Sequence, residues 1–212
     1  MLAALLALAH AADLQPGLLA PGAVPVDAGT VSVAAGGGMY DLLFGGTGPV
    51  ATTHISWAPT DRLQLSADGA AVPFSYDLQV GAAGLTARYL ATDGGLRLAP
   101  YAGVGVIESG AYSTVGLAME GGWKHVRLDA SLSTLTFGVH WGNLWMGPAY
   151  AGLGASEAGM SFLIGGRDQI RVGLAALPNL RWRHTEDRWY VELMAGSAVI
   201  WSMAHGRVGV RF

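Results

Sequence analysis

The residues of this chain best suited to chemistry are its arginines, which recur at alternate positions of short apolar segments. Lysine is almost absent, since Lys124 is the only one. A guanidinium group stays charged and binds carboxylates or phosphates in a two-pronged geometry. A set of such groups on one face can form a network of ion pairs or an electropositive surface that selects anions.

The alternation within each segment indicates which charged residues share a face. In each segment the charged residues occupy every second position and the aliphatic residues occupy the positions between them, as on the two faces of a strand. The predicted inward-facing, lumen-lining set is Arg62, Asp68, Arg88, Arg97, Glu120, Arg127, Asp129, Arg171, Arg181, Arg183, Glu192, Arg207 and Arg211. Cations exceed acids in this set although the whole chain carries a formal charge of −3. An ion-pair network and an anion-selecting constriction both remain open.

Histidine and serine offer a second hypothesis, that of a hydrolase. His54 and His140 are candidate bases, and Ser131, Ser133 and Ser161 are candidate nucleophiles. A triad needs base, nucleophile and orienting group within hydrogen-bond distance, and strand pairing brings none of these serines beside a histidine. The chain has no cysteine, and its histidines and acids lack recognised metal-ligand spacing. We therefore predict no catalytic residue, no metal and no cofactor.

Composition indicates how these residues are carried. The chain of 212 residues is 51% hydrophobic and 13% charged, and its mean hydropathy is positive. So little charge is typical of membrane proteins, yet after the N-terminus no apolar run approaches the roughly 20 residues that a spanning helix needs. Strands in which only alternate residues meet lipid satisfy both observations. The net charge and the lack of a basic patch argue against a nucleic-acid partner.

Tight polar turns divide the chain into alternating segments. The turns contain Gly or Asp where a hairpin needs them, at 59–61, 92–95, 121–122, 165–168 and 185–187. They predict strands near 29–37, 50–58, 62–70, 84–91, 96–107, 112–120, 124–134, 156–164, 169–177, 179–185, 188–199 and 203–212. That is about twelve strands of membrane-spanning length, or ten if 29–37 and 179–185 are not strands. Longer loops are predicted at the opposite end, over 38–49, 71–83 and 135–155.

The N-terminus predicts a targeting segment. Residues 1–11 are apolar and end in Ala9-His10-Ala11, an A-x-A cleavage pattern that resembles a secretory signal peptide. No Lys or Arg precedes the apolar run, and a buried N-terminal helix is the alternative. Residues 12–28 contain Pro16, Pro21 and Pro25, which predicts an extended periplasmic lead-in. The barrel would then occupy 29–212.

The last ten residues carry the clearest resemblance to a known class. Val208, Val210 and Phe212 alternate with Arg207 and Arg211. A strand of this kind ending in Phe resembles the closing strand of bacterial outer-membrane β-barrels. The resemblance implies residence in the outer membrane of a Gram-negative cell, contact with its lipid, and recognition of this strand by the barrel assembly machinery.

Aromatic residues support the same class, because membrane barrels place them in two girdles at the lipid boundaries. One predicted girdle lies beside the short turns and the C-terminus: Trp57, Tyr89, Trp123, Trp182, Trp189 and Phe212. Other aromatics gather in or beside the predicted loops, and outward mid-strand positions are aliphatic. In a soluble sandwich the aromatics would instead concentrate in the core.

The sequence thus predicts an all-β fold, a transmembrane antiparallel up-and-down β-barrel. Three functions are consistent with it. The first is a narrow channel, porin-like and preferring small anionic solutes because of its arginines. The second is a closed structural or adhesive barrel whose arginines form ion pairs. The third is a membrane-embedded lipid hydrolase, although the signatures of the two outer-membrane enzyme families, the barrel phospholipase and the lipid A deacylase, are absent.

Overall fold

A computed structural model describes residues 27–42, 46–73, 79–107, 110–141, 144–150, 157–174, 178–198 and 201–212. The predicted signal peptide and most of the lead-in lie outside these residues. The strands are β1 Val31–Leu42, β2 Gly46–Trp57, β3 Leu63–Pro73, β4 Gln79–Tyr89, β5 Thr92–Asp93, β6 Leu96–Ile107, β7 Gly110–Gly122, β8 Val126–Trp141, β9 Leu144–Tyr150, β10 Glu157–Ile164, β11 Asp168–Leu174, β12 Pro178–Thr185, β13 Trp189–Ala198 and β14 Trp201–Arg211. Among the described residues, no helix is long and apolar enough to cross a bilayer.

Antiparallel pairing of successive strands closes the sheet into a barrel. β14 pairs with β1 from Ser32 opposite Arg211 to Leu42 opposite Trp201. β10 pairs with β8, so β9 pairs only with the far part of β8, and the two-residue β5 pairs with β6. The wall therefore contains the twelve strands that the turn pattern predicts, in up-and-down order. The C-terminal strand thus pairs with the first strand and closes the barrel.

Side chains alternate across the wall as the period of two requires. In β14, His205 and Arg207 are buried while Val208 and Val210 are exposed on the outer surface. Large aliphatic side chains are exposed on the outside of most other strands as well. An aqueous solvent would penalise such a surface, and a lipid solvent would favour it.

One end of the barrel agrees with the prediction, and the other end has longer strands than predicted. At the end that carries the C-terminus, the turns are short, as predicted, and Gly165 and Gly166 adopt the left-handed conformation with φ of 62° and 80°. At the other end, the loop predicted over 38–49 is wrong. β1 runs to Leu42, which is opposite Gly46 of β2. Backbone hydrogen bonds continue the ladder through Gly36, Gly37 and Gly38, where side-chain alternation gives no signal.

The same error affects the other predicted loops. β3 and β4 extend into 71–83 and leave residues 74–78 between them. The segment 135–155 contains the end of β8 and the strand β9, which pair with each other from Thr136 opposite Tyr150 to Trp141 opposite Leu144. These strands escaped prediction because their aromatic and aliphatic residues do not alternate cleanly with polar ones.

Tyrosines fill part of the interior by lying against glycines of the neighbouring strand. A Cβ atom at each of these glycines would collide with the facing ring. The directly paired positions are Tyr40 with Gly48, Tyr101 with Gly116, Tyr112 with Gly105, and Tyr190 with Gly209. Glycine is required here because the ring approaches the backbone closely, an arrangement known as aromatic rescue of strand glycines.

Candidate functional site: the charged barrel interior

Most of the charged residues predicted to face inward are buried or half-buried. The buried ones are Arg88, Glu120, Arg171, Arg181, Arg183, Glu192 and Arg207. The half-buried ones are Asp68, Arg97, Arg127, Asp129 and Arg211. Arg62 is a correction, because β3 begins only at Leu63 and Arg62 lies exposed in the preceding turn. Arginines outnumber carboxylates among these interior residues, so the inside carries excess positive charge.

A first cluster spans β6, β7 and β8 near the short-turn end. Glu120 Oε1 lies 3.2 Å from Arg127 Nη1 and 3.6 Å from Arg97 Nη1. Arg97 and Glu120 are directly opposite each other in the β6–β7 register. The carboxylate is buried while both guanidinium groups are about one-third exposed, so the pairing orients two partly hydrated cations around one acid.

The second cluster is centred on Arg171 of β11. Its Nη2 donates to Asp129 Oδ2 at 2.6 Å, and its Nε lies 3.1 Å from both carboxylate oxygens. Gly159 and Gly173 provide the space, since a Cβ at either would collide with the guanidinium group. Asn179 accepts from Nη1 at 3.4 Å. Arg171 thereby bridges β8 and β11 across the intervening β10.

The third cluster contains the largest excess of positive charge and lies on β12, β13 and β14. Arg207 Nη2 donates to Glu192 Oε1 at 3.2 Å, and the guanidinium group of Arg183 stacks 4.1 Å above the Tyr190 ring. Arg181 is directly opposite Arg171 and donates to Met194 Sδ at 3.6 Å. Like charges opposite each other across strands are destabilising. The neutral and aromatic neighbours of these arginines offset only part of that repulsion.

Several guanidinium nitrogens have no protein partner among the described residues. They are Nε and Nη1 of Arg88, Nε and Nη1 of Arg181, and Nε of Arg183. A buried N–H group without a hydrogen bond costs about 1–3 kcal/mol, and more when the group is charged. These donors therefore leave positive charge in the interior that no described acceptor neutralises.

Polar residues from β14 to β4 complete a ring around the interior. Thr52 Oγ1 and His205 Nε2 lie 2.9 Å apart, His54 Nδ1 lies 2.6 Å from Asp68 Oδ1, and Arg88 hydrogen-bonds Gln64. Thr52, Gln64 and Tyr190 were not predicted as interior residues from the sequence. Their positions on the buried parity of strands that carry interior charges were the signal that could have identified them.

The hydrolase candidates do not assemble into a triad in the described part of the chain. Ser131 Oγ lies 3.0 Å from the Tyr101 hydroxyl oxygen. Ser161 is buried, and its Oγ has no partner among the described residues. The side chains of Ser133 and His140 lie outside the described residues. No described group of three or more His, Asp or Glu residues could hold a metal ion.

The predicted girdle residues lie at the outer rim of the short-turn end. All six side chains are exposed: Trp57, Tyr89, Trp123, Trp182, Trp189 and Phe212. Trp182 and Trp189 flank His184, with ring centroids 6.2 Å and 5.7 Å from it. Trp182 Nε1 also donates to Asp168 at 3.2 Å. The polar edge of this indole thus meets charged turn residues while its ring stays on the outer surface.

Comparisons with known proteins identify the class of fold. No family model matches the chain, and no curated protein matches it in sequence. Among solved structures, it resembles the KdgM porin with a TM-score of 0.61 and 11% identity, over 85% of this chain and 98% of that chain. An outer-membrane channel from Pseudomonas putida F1 aligns with a TM-score of 0.59 and 10% identity, over 91% and 98%.

A third structure extends the likeness beyond channels. The translocator domain of the autotransporter NalP from Neisseria meningitidis aligns with a TM-score of 0.52 and 15% identity, over 97% of this chain and 96% of that chain. The chain therefore has the fold of an outer-membrane β-barrel, with twelve strands and a charged interior. Identities this low establish the fold and leave the activity to be argued from the site.

Proposed function

We propose that this protein is a narrow anion-preferring channel of the Gram-negative outer membrane, surrounded by lipid on its outer surface. The observation that carries the proposal is the third cluster, where Arg181 and Arg183 are buried with N–H groups that no described residue accepts. Glu192 is the one acid among the described inward-facing residues of β12–β14. Such a wall creates a positive potential that attracts small anions and repels cations.

The opposite wall has small side chains at several inward positions, where Ala99 and Ala118 are buried beside Tyr101. β6 and β7 lie half-way around the ring from β13, and their inward positions include Ala99, Gly103 and Ala118. A barrel of about twelve strands is close to the size at which side chains fill the interior or leave a narrow channel. Small side chains on one wall favour the open alternative.

One structural neighbour supports the choice of solute. The KdgM porin is also known in complex with disordered oligogalacturonate, a chain of carboxylate-bearing sugars. A barrel of this fold therefore admits a polyanion. For the present chain we propose small anions as solutes, because Arg171, Arg183 and Arg207 project into the same interior.

Conductance of refolded protein in a planar bilayer tests the proposal. The unaltered protein is expected to conduct with a reversal potential that favours anions over cations. The double variant R181Q/R183Q should lower the anion-to-cation permeability ratio several-fold, because it removes two buried charges. The matched control is R167Q, which removes an exposed turn arginine paired with Glu186 and should leave the ratio unchanged. A cation-preferring pore would contradict the proposal.

A closed barrel is the second candidate, and the ion pairs favour it. Arg171 with Asp129 and Arg207 with Glu192 tie β8 to β11 and β13 to β14. If such pairs close the interior, the same bilayer experiment will give no conductance although the protein is folded. Heat-modifiable migration on a gel provides the check on folding.

Recognition by the barrel assembly machinery is a separate part of the proposal. Phe212 is exposed at the end of the closing strand, and its backbone exchanges two hydrogen bonds with Val31. Deleting Phe212 should reduce insertion into the outer membrane in cells while only slightly lowering the stability of the refolded protein. Fractionation of outer membranes measures the first effect and urea unfolding the second. Normal insertion of the truncated chain would argue against this role.

A further inference from the structure

The short-turn end of the barrel carries a pocket that lies apart from the buried third cluster. Its volume is about 180 Å³, and it is lined by four glycines of two adjacent turns together with Arg97, Glu120, Trp123 and Arg127. The pocket lies at the rim, where inward-facing arginines and an outward-facing tryptophan come together. Nothing in the proposed conduction of anions requires it.

Two cations face this pocket from different strands. Arg97 belongs to β6 and Arg127 to β8, and both are held toward the same oxygen of Glu120 on the intervening β7, at 3.6 Å and 3.2 Å. Each guanidinium group has five N–H donors, and each is about one-third exposed. Glu120 therefore positions both groups and leaves further donors available on the pocket side.

The glycines of the two turns have no side chains, so the backbone is accessible at this part of the rim. A Cβ atom at Gly94 or Gly95 would meet no atom within 4 Å, so these turn residues border open space. Trp123 is 73% exposed beside them. Leu96 is exposed on the outer surface next to the same turn. The site thus combines a cationic floor with an apolar outer margin.

This combination selects the chemical class of ligand. A planar carboxylate matches the fork of one guanidinium group, whereas a tetrahedral phosphate presents oxygens in directions that can meet two groups at once. The Arg97 and Arg127 side chains approach from two strands and favour the second geometry. Asp93 Oδ1 also lies 3.8 Å from Arg97 Nε, so two guanidinium groups and two carboxylates leave the site close to neutral. Binding of a phosphate would then depend on the direction of the N–H donors more than on net charge.

We propose that the rim pocket is a phosphate-binding site. The phosphate group is either free in solution or the headgroup of a phospholipid whose chains lie along Leu96 and Trp123. The two sources share the same contacts with Arg97 and Arg127. The proposal is independent of channel activity, since a closed barrel would carry the same pocket.

Titration calorimetry of the full refolded chain in a non-ionic detergent tests the site. The probes are inorganic phosphate and a short-chain phosphatidylglycerol. R97Q/R127Q should weaken binding of whichever probe binds by at least about tenfold, the effect of losing one charged hydrogen bond. G95L, which places a bulky side chain at the margin of the pocket and keeps both charges, should weaken it similarly. The matched control R167Q removes an arginine at another turn of the same end and should bind normally.

The two probes distinguish the sources and the variants decide the proposal. Tighter binding of the lipid identifies a headgroup site, and equal or tighter binding of inorganic phosphate identifies a site for the free ion. The proposal is overturned if neither probe binds the unaltered protein, or if R167Q loses as much affinity as R97Q/R127Q. If the double variant fails to refold, G95L decides alone, and normal binding by G95L rejects the pocket.

Discussion

Two opposite walls of the barrel interior differ in the side chains that face inward. The wall of β12–β14, the charged wall, places Arg181, Arg183 and Arg207 around Glu192. The wall of β6–β7, the small-residue wall, contributes a buried cluster of Ala99, Tyr101 and Ala118. The first concentrates charged side chains, and the second packs small side chains around one tyrosine. In a uniform ring, the arginines would repel one another and their side chains would fill the interior. The asymmetry between the two walls concentrates the positive charge on one of them.

The largest expected effect tests whether the charged wall depends on its acid. E192Q leaves Arg181, Arg183 and Arg207 without a buried counter-charge and should lower the free energy of unfolding by about 3 kcal/mol. Urea unfolding in lipid vesicles measures this. S56A changes a buried neutral residue of β2 and is the control, with a much smaller effect expected. The pair E192Q/R207Q should recover part of the loss, and failure to recover would show that the charge of Glu192 acts mainly on Arg181 and Arg183.

An intermediate effect is expected on the small-residue wall. In G116V the added side chain would overlap the Tyr101 ring and the carbonyl of Leu132, and overpacking of this kind costs about 1–3 kcal/mol. Removing the ring in the G116V/Y101A variant should make the valine less costly, so the two changes should couple in a double-mutant cycle. G81A is the control, since a Cβ at Gly81 meets nothing within 4 Å. Simple additivity would mean that ring and glycine do not interact.

The smallest effect is expected outside both walls. Arg167 and Glu186 form an ion pair of 2.7 Å between two turns, where Arg167 is well exposed. Exposed pairs contribute about 0–1 kcal/mol because water and salt screen them. E186Q should therefore change the free energy of unfolding only slightly in the urea experiment, and less at high salt. If E186Q lowered the free energy of unfolding as much as E192Q, buried and exposed ion pairs would not differ in their contribution to stability.

Much of the fold could be predicted because a membrane strand must alternate. Outward residues such as Val208 and Val210 are exposed and inward residues such as Arg207 are buried, so the period of two marks each strand. The turns at Gly165 and Gly166 were predictable because glycine readily adopts positive φ. Alternation failed in Gly36–Gly38 and in β9, which are strands by their backbone pairing.

Most residues of the site could be predicted from the sequence, but fewer of the contacts between them could. Parity placed Arg171 and Asp129 among the inward residues, but their pairing crosses β10 and depends on the space left by Gly159 and Gly173. Such diagonal contacts depend on register, which a single sequence does not define. Arg62 was placed on the strand because it lies directly before the first residue of β3, Leu63.

The unequal lengths of the strands bear on the membrane itself. β11 has seven residues and β7 has thirteen. With a rise of about 3.3 Å per residue and a tilt of about 40°, the described residues of β11, Asp168–Leu174, span about 18 Å, which is less than the apolar band of about 25 Å around such barrels. We expect a bilayer beside β10–β12 to thin, or the barrel to lean toward that side. This hydrophobic mismatch would give the molecule a preferred orientation and a locally compressed leaflet next to Arg171.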